Sequence, residues 1–231
     1  MNIMADHKVF ERWPAADLNK LQLFSFPTAN GVKASIALEE MEIPYEVHRV
    51  GLGEDVRTPE FLALNPNNKI PAIVDPNGPD GETVTLFESG AILIYLAEKT
   101  GKLLPVRGAD RAHTIQWLMF QMGGLGPMIG QLGYFSKFAG AEIEDPRPRE
   151  RFVIEVRRLL NVVDNQLDGK DWLTGEYSIA DIATAPWLGA LERYGARDAV
   201  GWNEFKNAAT YLERFLERPA VQKGMITPPR D

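Results

Sequence analysis

The chain has 231 residues, of which 45% are hydrophobic and 25% are charged, a composition typical of a soluble globular protein. Its net charge of −7 gives nucleic-acid binding no electrostatic support, and no apolar run approaches the roughly 20 residues that span a bilayer. Residues 1–6 lack the charged and apolar regions of a signal peptide, so we expect a cytoplasmic protein with no membrane or nucleic-acid partner.

The sequence contains no cysteine, which excludes disulfide bonds, thiolate metal ligands and a cysteine nucleophile of the protein's own. The histidines His7, His48 and His113 have no metal-ligand spacing to one another, and we expect no metal site. Any thiol chemistry must therefore use a thiol that a ligand brings.

Residues 1–20 are polar and irregular, with Phe10 and Trp13 as candidate anchors. We interpret them as an extension that lies on the body of the protein. The sequence leaves open whether this extension closes a binding site or braces a partner subunit.

The next segments predict a strand, a helix, a second strand and a short helix. Residues 21–26 are a compact apolar run, and a helical pattern begins at Val32 with Lys33 on its polar side. Residues 45–50 predict the second strand, and residues 59–62 lie in the short helix.

Two apolar, β-branched runs at residues 70–75 and 83–87 flank a loop at 76–81 that is dense in turn residues, which predicts a hairpin. A helix follows at once over residues 89–100 and ends at Gly101. The earlier strand, helix and strand imply a right-handed parallel crossover, to which the hairpin adds antiparallel pairing. The prediction is a four-stranded mixed sheet with helices on both faces, which is the thioredoxin-like arrangement.

Beyond a short linker at residues 104–108, the sequence shows no convincing strand. A helix over about residues 110–121 meets glycines and a proline at 123–127, which must kink or break it. Ser178, with Asp181 three residues later, predicts a capped helix start. A last helix carries one apolar face, made of Ala208, Tyr211, Leu212, Phe215 and Leu216.

The predicted fold is therefore an α/β thioredoxin-like amino-terminal domain followed by an all-α carboxy-terminal domain. We place the extension at residues 1–20, the thioredoxin-like domain at 21–103, the helical domain at 109–222 and a tail at 223–231.

Two features of the hairpin region suggest a binding site for a small peptide. Ile70 precedes Pro71, which opens a strand through a bond that can be cis, so the chain is extended there. Glu88 and Ser89 stand at a helix start, where unpaired N–H groups and the helix dipole favour an anion. The alternative is structural: Ser89 only caps the helix, and Pro71 only begins a strand.

The chain resembles the cytosolic glutathione transferases over residues 21–222. The segments that carry this resemblance are residues 65–73, 86–96 and 177–181. Further segments are similar to the nu class of bacterial glutathione S-transferases, whose members are homodimeric, glutathione-dependent disulfide-bond oxidoreductases. These are residues 26–33, 116–117 and 123–128. The resemblance implies glutathione as a co-substrate and a homodimer.

The resemblance also implies a role for each matching position. Thr28 and Asn30 match the catalytic residues at the thiol end of glutathione. Lys69 matches a side chain near the glycyl carboxylate. Ile70 matches the residue that pairs with the peptide backbone, beside a cis proline at Pro71.

Other matching positions hold the remaining parts of the ligands. Glu88 and Ser89 match the pair that holds the γ-glutamyl group, and Arg151 matches an arginine that reaches a second glutathione. Gln121 and Met128 are candidates for lining the second-substrate pocket.

One loop departs from the family pattern. Residues 54–57 stand where the family often has a polar glutamine, so the resemblance implies no contact from this loop to a ligand. Residues 8–14 resemble an extension found in some members only.

The expected chemistry is stabilisation of a thiolate. A free thiol has a pKa of roughly 8.5, and each unit of lowering requires about 1.4 kcal/mol of preferential stabilisation of the anion. A hydroxyl donor at Thr28 and an amide donor at Asn30 can supply it.

The structural alternatives are helix capping by Thr28, a tight turn at Asn30 and Gly31, and a solvated helix charge at Arg151. Ser25 lies inside the strand, and we rank it below Thr28.

Three functions remain open. In the favoured one, a bound glutathione thiolate reduces a small disulfide and a second glutathione resolves the product. The second is a transferase or lyase that acts on an electrophile or a thioether. The third is a non-catalytic binding domain of the same fold.

Overall fold

The computed structural model of the protein describes residues 7–230, so the first six residues of the predicted extension lie outside the described part. The chain divides into two compact units, one made of Met1–Lys102 with Pro219–Asp231 and the other of Leu103–Arg218. The α-helices follow in chain order: α1 (Val9–Arg12), α2 (Gly31–Glu40), α3 (Pro59–Leu64), α4 (Ser89–Thr100), α5 (Gly108–Phe120), α6 (Gly126–Lys137), α7 (Arg147–Gln166), α8 (Ile179–Arg193), α9 (Lys206–Leu216) and α10 (Pro219–Met225).

The first unit contains a four-stranded sheet with the order β2-β1-β3-β4. Its strands are β1 (Leu21–Ser25), β2 (Tyr45–Arg49), β3 (Ala72–Asp75) and β4 (Val84–Phe87). β1 and β2 are parallel, whereas β3 runs antiparallel to both β1 and β4. The predicted mixed sheet is therefore confirmed, as is the thioredoxin-like arrangement.

The two central strands, β1 and β3, are buried along their whole length. Such strands are covered on both faces and form the rigid part of a small α/β unit. The segment after β1 and the segment before β3 lead directly out of this rigid centre, and both carry residues predicted to bind a ligand.

The end of the chain differs from the prediction, because α10 spans the boundary that we placed between the helical domain and the tail. This helix belongs to the first unit, where the Ser35 hydroxyl donates to the Gly224 carbonyl at 2.7 Å. A Cβ on Gly224 would lie 2.6 Å from the Cα of Ile36, so glycine allows α10 to approach α2 closely. Pro219 begins α10, a position where no N–H partner is needed.

Two side chains have the opposite environment to the predicted one. Lys33 was expected on a polar side of α2, but the first eight residues of this helix are all buried, and Lys33 is 0% exposed. Leu216 was expected in the apolar face of α9 and is 40% exposed. It is the last residue of that helix and lies beyond the buried face that ends with Phe215.

In the second unit, the predicted helix break takes a milder form. Residues Gln121–Leu125 make a π-helical turn that joins α5 to α6 with helical backbone angles at both ends. Pro127 lies in the first turn of α6, where its missing N–H needs no partner. The glycines and the proline therefore widen the helix locally and do not end it.

The start of α8 confirms the predicted capping box. The Ser178 hydroxyl oxygen accepts from the Ala180 N–H at 3.3 Å, and one Asp181 carboxylate oxygen accepts from the Ser178 N–H at 2.9 Å. The other Asp181 oxygen accepts from the Leu173 N–H at 3.0 Å. Burial raises the pKa of Asp181 to about 6, against the lowering effect of these hydrogen bonds.

Within residues 7–230, none of the helices combines the length and the apolarity that crossing a bilayer requires.

Candidate functional site

Two adjoining cavities open beside the central strands of the first unit. The first has a volume of about 260 Å³ and is lined by Thr28, Asn30, Leu52, Val56, Arg57, Asn68, Lys69 and Ile70. The second has a volume of about 280 Å³ and is lined by Asn30, Asn65, Asn67, Lys69, Ile70, Pro71, Glu88 and Ser89. The structure thus brings together seven residues that we predicted to act at one site.

Thr28 lies on the turn between β1 and α2. Its hydroxyl oxygen accepts a hydrogen bond from the Gly31 N–H at 3.1 Å, while its own N–H donates to the Phe26 carbonyl at 2.7 Å. Thr28 therefore has a structural role, because it accepts from the first N–H of α2, although Asn30 is the residue at the N-cap position of this helix. A hydroxyl group has one donor and two acceptor positions, so this contact still leaves its proton able to donate into the cavity.

The turn packs tightly behind the cavity. Asn30 precedes the first residue of α2 and lines both cavities. A Cβ on Gly31 would lie 1.9 Å from the Phe26 carbonyl oxygen, so this position requires glycine. Ser25 is fully buried, as expected for a residue inside β1, and its hydroxyl has no hydrogen-bond partner within the described chain.

The segment before β3 is shaped by Asn65, which the sequence analysis did not single out. This side chain is 1% exposed, accepts from the Asn67 N–H at 2.9 Å and donates to the Lys69 carbonyl at 2.5 Å. Asn68 lies between them in the left-handed region, with φ of 50°. The Lys69 side chain remains exposed at the junction of the two cavities.

Ile70 lines both cavities. The Ile70–Pro71 peptide is cis, as predicted, and neither the N–H nor the carbonyl of Ile70 makes a hydrogen bond with any residue from 7 to 230. Backbone groups at a sheet margin that lack partners can pair with an extended peptide. This is the geometry that the sequence led us to expect before β3.

Glu88 and Ser89 begin α4 at the far end of the second cavity. Glu88 makes no side-chain capping hydrogen bond and has φ of 72° and ψ of 113°, a conformation unusual for a residue with a side chain. Such a backbone costs on the order of 1–3 kcal/mol and is found most often at ligand sites. Ser89 is buried at the first position of the helix. The dipole of α4 favours an anion at this point.

Lys33 is the charged residue near the site that sequence reasoning missed. It lies on the first turn of α2, which packs against α4. Burial lowers the pKa of Lys33 well below its usual value, and the charge of Glu88 opposes this shift. A buried lysine cannot be recognised from helix periodicity, since the pattern marks it as a surface residue.

The remaining three predicted residues lie in the second unit. Arg151, on α7, is 67% exposed and lies 3.9 Å from the Glu155 carboxylate. Gln121 is 1% exposed, and its side-chain amide lies against Gly126. Met128 is half-buried on α6.

The loop that departs from the family pattern does reach the site. Leu52, Val56 and Arg57 line the first cavity beside Thr28. Arg57 is exposed and has no ion-pair partner among the described residues. In this loop a charged segment stands where the family often has a glutamine, and no pattern in the sequence predicts that the loop lines the cavity.

Two family models match the chain, the glutathione S-transferase amino-terminal domain over residues 29–99 and the carboxy-terminal domain over residues 127–219. This chain belongs to the glutathione S-transferase family. The resemblance drawn from its sequence is thereby confirmed.

Several members of the family are closely similar over nearly the whole chain. The disulfide-bond oxidoreductase YfcG of Escherichia coli is 46% identical over 209 residues, which cover 89% of this chain and 94% of YfcG. A glutathione transferase structure from Pseudomonas putida holds one glutathione disulfide per subunit. It is 56% identical with a TM-score of 0.96, covering 97% of this chain and 99% of that one. A glutathione transferase structure from Burkholderia graminis holds two glutathione molecules per subunit. It is 55% identical with a TM-score of 0.97, and the match covers 100% of this chain and 98% of that one.

The part of the chain that the structure describes contains no group of three histidine, aspartate or glutamate side chains able to hold a metal ion.

Proposed function

We propose that the protein is a glutathione-dependent disulfide-bond oxidoreductase, in which bound glutathione supplies the thiol that the chain lacks. The observation that carries this proposal is the pair of adjoining cavities, which gathers seven of the ten residues expected to act on glutathione or its partner substrate. The name of YfcG, at 46% identity, supports disulfide reduction as the reaction.

The reaction consumes two molecules of glutathione and one disulfide. The first thiolate attacks one substrate sulfur, which forms a mixed disulfide and releases the other half of the substrate as a thiolate that takes up a proton. A second glutathione thiolate attacks the glutathione sulfur of the mixed disulfide. This step releases the remaining half of the substrate and leaves glutathione disulfide. Two thiols are oxidised and one disulfide is reduced, so the electrons balance.

The relatives of known structure fit this sequence of steps. The Burkholderia graminis transferase holds two glutathione molecules per subunit, which is the number of thiols consumed. The Pseudomonas putida transferase holds glutathione disulfide, which is the oxidised product.

Thr28 and Asn30 are the residues that we expect to stabilise the thiolate. The Thr28 oxygen accepts from the Gly31 N–H, which leaves the hydroxyl proton available to donate to a thiolate in the cavity that Thr28 lines. Lowering the thiol pKa by one to two units takes about 1.4–2.8 kcal/mol, within reach of a hydroxyl and an amide donor acting on an anion. No general base in the protein is then required.

The rest of the site offers one partner for each other part of the tripeptide. The Ile70 backbone pairs with the central residue, and Lys69 lies where it attracts the glycyl carboxylate. Glu88 receives the γ-glutamyl ammonium, and Ser89 with the start of α4 receives its carboxylate. We assign Arg151, with Gln121 and Met128, to the second ligand.

A coupled assay tests the proposal. Wild-type protein is supplied with glutathione, hydroxyethyl disulfide, glutathione reductase and NADPH, and in parallel with glutathione and a chromogenic electrophile. We expect the disulfide to be turned over faster than the electrophile. Thr28→Val, which keeps the shape of the side chain, should lower kcat by about 10- to 100-fold and leave the glutathione Kd within about twofold.

Thr28→Ser, which keeps the hydroxyl, is the matched control and should retain most of the activity. Conjugation without disulfide turnover would favour a transferase. Glutathione binding by calorimetry without either reaction would favour a binding domain. Equal loss of kcat and affinity in Thr28→Val would show that the hydroxyl only helps to dock the ligand.

We also propose that the protein works in the cytoplasm as a homodimer. The family resemblance supports the second point. Light scattering coupled to size-exclusion chromatography should give twice the chain mass of 25.8 kDa, and a value of one chain mass would refute the dimer.

A further inference from the structure

The loop from Gly51 to Arg57 forms one wall of the first cavity, yet little of its own structure holds it. Its only regular element is a single helical turn at Asp55–Arg57. Leu52 is 53% exposed, and Arg57 is exposed as well, while Val56 is buried below them. Val56 belongs to the hydrophobic core cluster that also contains Val9 and Phe24, which fixes the base of the loop. The exposed part of the wall depends on polar contacts.

Asp55 makes two of these polar contacts, one within the loop and one to the amino-terminal segment. One oxygen of its carboxylate accepts from the Gly51 N–H at 2.9 Å and closes the loop on itself. The other oxygen accepts from the Arg12 guanidinium at 2.6 Å. The Arg12 guanidinium is the main reason that the pKa of Asp55 lies below its usual value. The charged residue that departs from the family pattern is thus the one that ties the loop to the amino-terminal segment.

The amino-terminal segment, residues 7–20, is itself firmly anchored without Arg12. Val9 is fully buried, and the Trp13 ring meets the rings of Phe24 and Phe61 edge-on at 6.3 and 6.1 Å. The Trp13 indole N–H also donates to the Arg49 carbonyl at 3.1 Å.

A second anchor lies further along the same segment. The N–H groups of Ala16 and Asp17 donate to the Glu46 carboxylate at 2.8–3.0 Å, on the edge strand β2. Arg12 therefore extends from a fixed platform, with its guanidinium over the Trp13 ring at 5.2 Å.

We propose that the amino-terminal segment positions the wall of the site through the Arg12–Asp55 clamp, and that Arg57, held there, selects disulfides that carry negative charge. This inference rests on the proposed function. Arg12 and Asp55 are positioning residues, whereas Arg57 acts on the second substrate. An exposed ion pair adds little to stability, so the clamp contributes through the position of the loop. A cation on the wall of a cavity attracts anions and repels cations.

The test compares Arg12→Met with Arg147→Met. Arg147 makes a similar exposed ion pair with Asp145 on the second unit and serves as the matched control. Steady-state rates are measured at saturating glutathione with dithiodiglycolate, a dianion, and with cystamine, a dication. We expect wild type to prefer the dianion and Arg12→Met to reduce the ratio of the two kcat/KM values by about fivefold, mainly through KM. The glutathione Kd should stay within about twofold.

Arg57→Met should lower the same ratio. The double variant Arg12→Met/Arg57→Met should lower it no further, because Arg12 affects the ratio only through the position of the Arg57 side chain. Asp55→Asn keeps an acceptor for Gly51 but loses the charge, and it should match Arg12→Met. A ratio in Arg12→Met equal to that of Arg147→Met would overturn the proposal, as would a wild type without preference for the dianion.

Amide hydrogen exchange separates this inference from the proposed function. Arg12→Met should speed exchange at residues 51–57 by about tenfold, while exchange in β3 stays unchanged. If wild type reduced neither disulfide, the proposed function would fail together with the role of Arg57. Faster exchange at 51–57 would then still support the clamp, and unchanged exchange would overturn it.

Discussion

The starts of α8 and α4 each combine a serine with an acidic residue, but the two helix starts differ in how their backbone N–H groups are satisfied. At the start of α8, Ser178 and Asp181 satisfy the backbone N–H groups themselves, and both side chains are buried. At the start of α4, Glu88 provides no side-chain cap, its backbone is strained, and the helix opens onto a cavity. The first helix start is closed by its own side chains, and we propose that the second receives an anionic group from a ligand.

Removing the Asp181 carboxylate from the start of α8, which we call the closed start, should have the largest effect on stability. Asp181→Ala leaves the N–H groups of Leu173 and Ser178 buried without acceptors, which should lower the free energy of unfolding by about 3 kcal/mol. Urea unfolding followed by tryptophan fluorescence measures it. A loss below about 1 kcal/mol would mean that this helix start is not closed by Asp181.

Removing the Ser89 hydroxyl from the start of α4, which we call the open start, should instead affect the binding of glutathione. Ser89→Ala should weaken glutathione binding by about tenfold in calorimetry, because the γ-glutamyl carboxylate loses a charge-assisted hydrogen bond. Its stability should change by less than about 1 kcal/mol. Ser178→Ala is the control and should show the reverse, a loss of stability with unchanged affinity. Unchanged affinity in Ser89→Ala would count against an anchoring role.

A smaller effect is expected when the open start is given a cap of its own. Ala91 occupies the third position of α4, the place that Asp181 has in α8. Ala91→Asp should put a carboxylate where the ligand's carboxylate binds and weaken glutathione binding by about fivefold. Stability should stay equal or rise by a few tenths of a kcal/mol. Ala91→Asn, without the charge, should bind nearly as wild type does, and equal weakening in both variants would point to a steric effect.

Comparison of the two starts also shows what sequence can predict. The capping box of α8 is a local pattern within four residues, and the sequence predicts it together with the four-stranded mixed sheet. The cis bond at Pro71 is predicted by the family resemblance. The burial of Lys33 depends on neighbours that no local pattern names. Asn65 instead bonds to Asn67 and Lys69, only two and four residues ahead, and an Asx turn is a signal that could have identified it. The clamp between Arg12 and Asp55 joins residues 43 positions apart.

The position of α10 at the end of the chain also depends on packing that a local pattern does not predict. We predict a tail at residues 223–231, where Pro228 and Pro229 follow each other, but α10 extends to Met225. Its stability comes from close packing on α2, where Gly224 lies against Ile36. Packing over such a separation in sequence cannot be deduced from periodicity or from turn residues.

The most direct test of the account is the pKa of the glutathione thiol when it is bound. The ultraviolet absorbance of the thiolate, titrated with wild type and with Thr28→Val at saturating glutathione, measures it. We predict a value one to two units below that of free glutathione for wild type, and a rise of about one unit in Thr28→Val. Equal values in the two proteins, or a wild-type value no lower than that of the free thiol, would contradict thiolate stabilisation at the turn between β1 and α2.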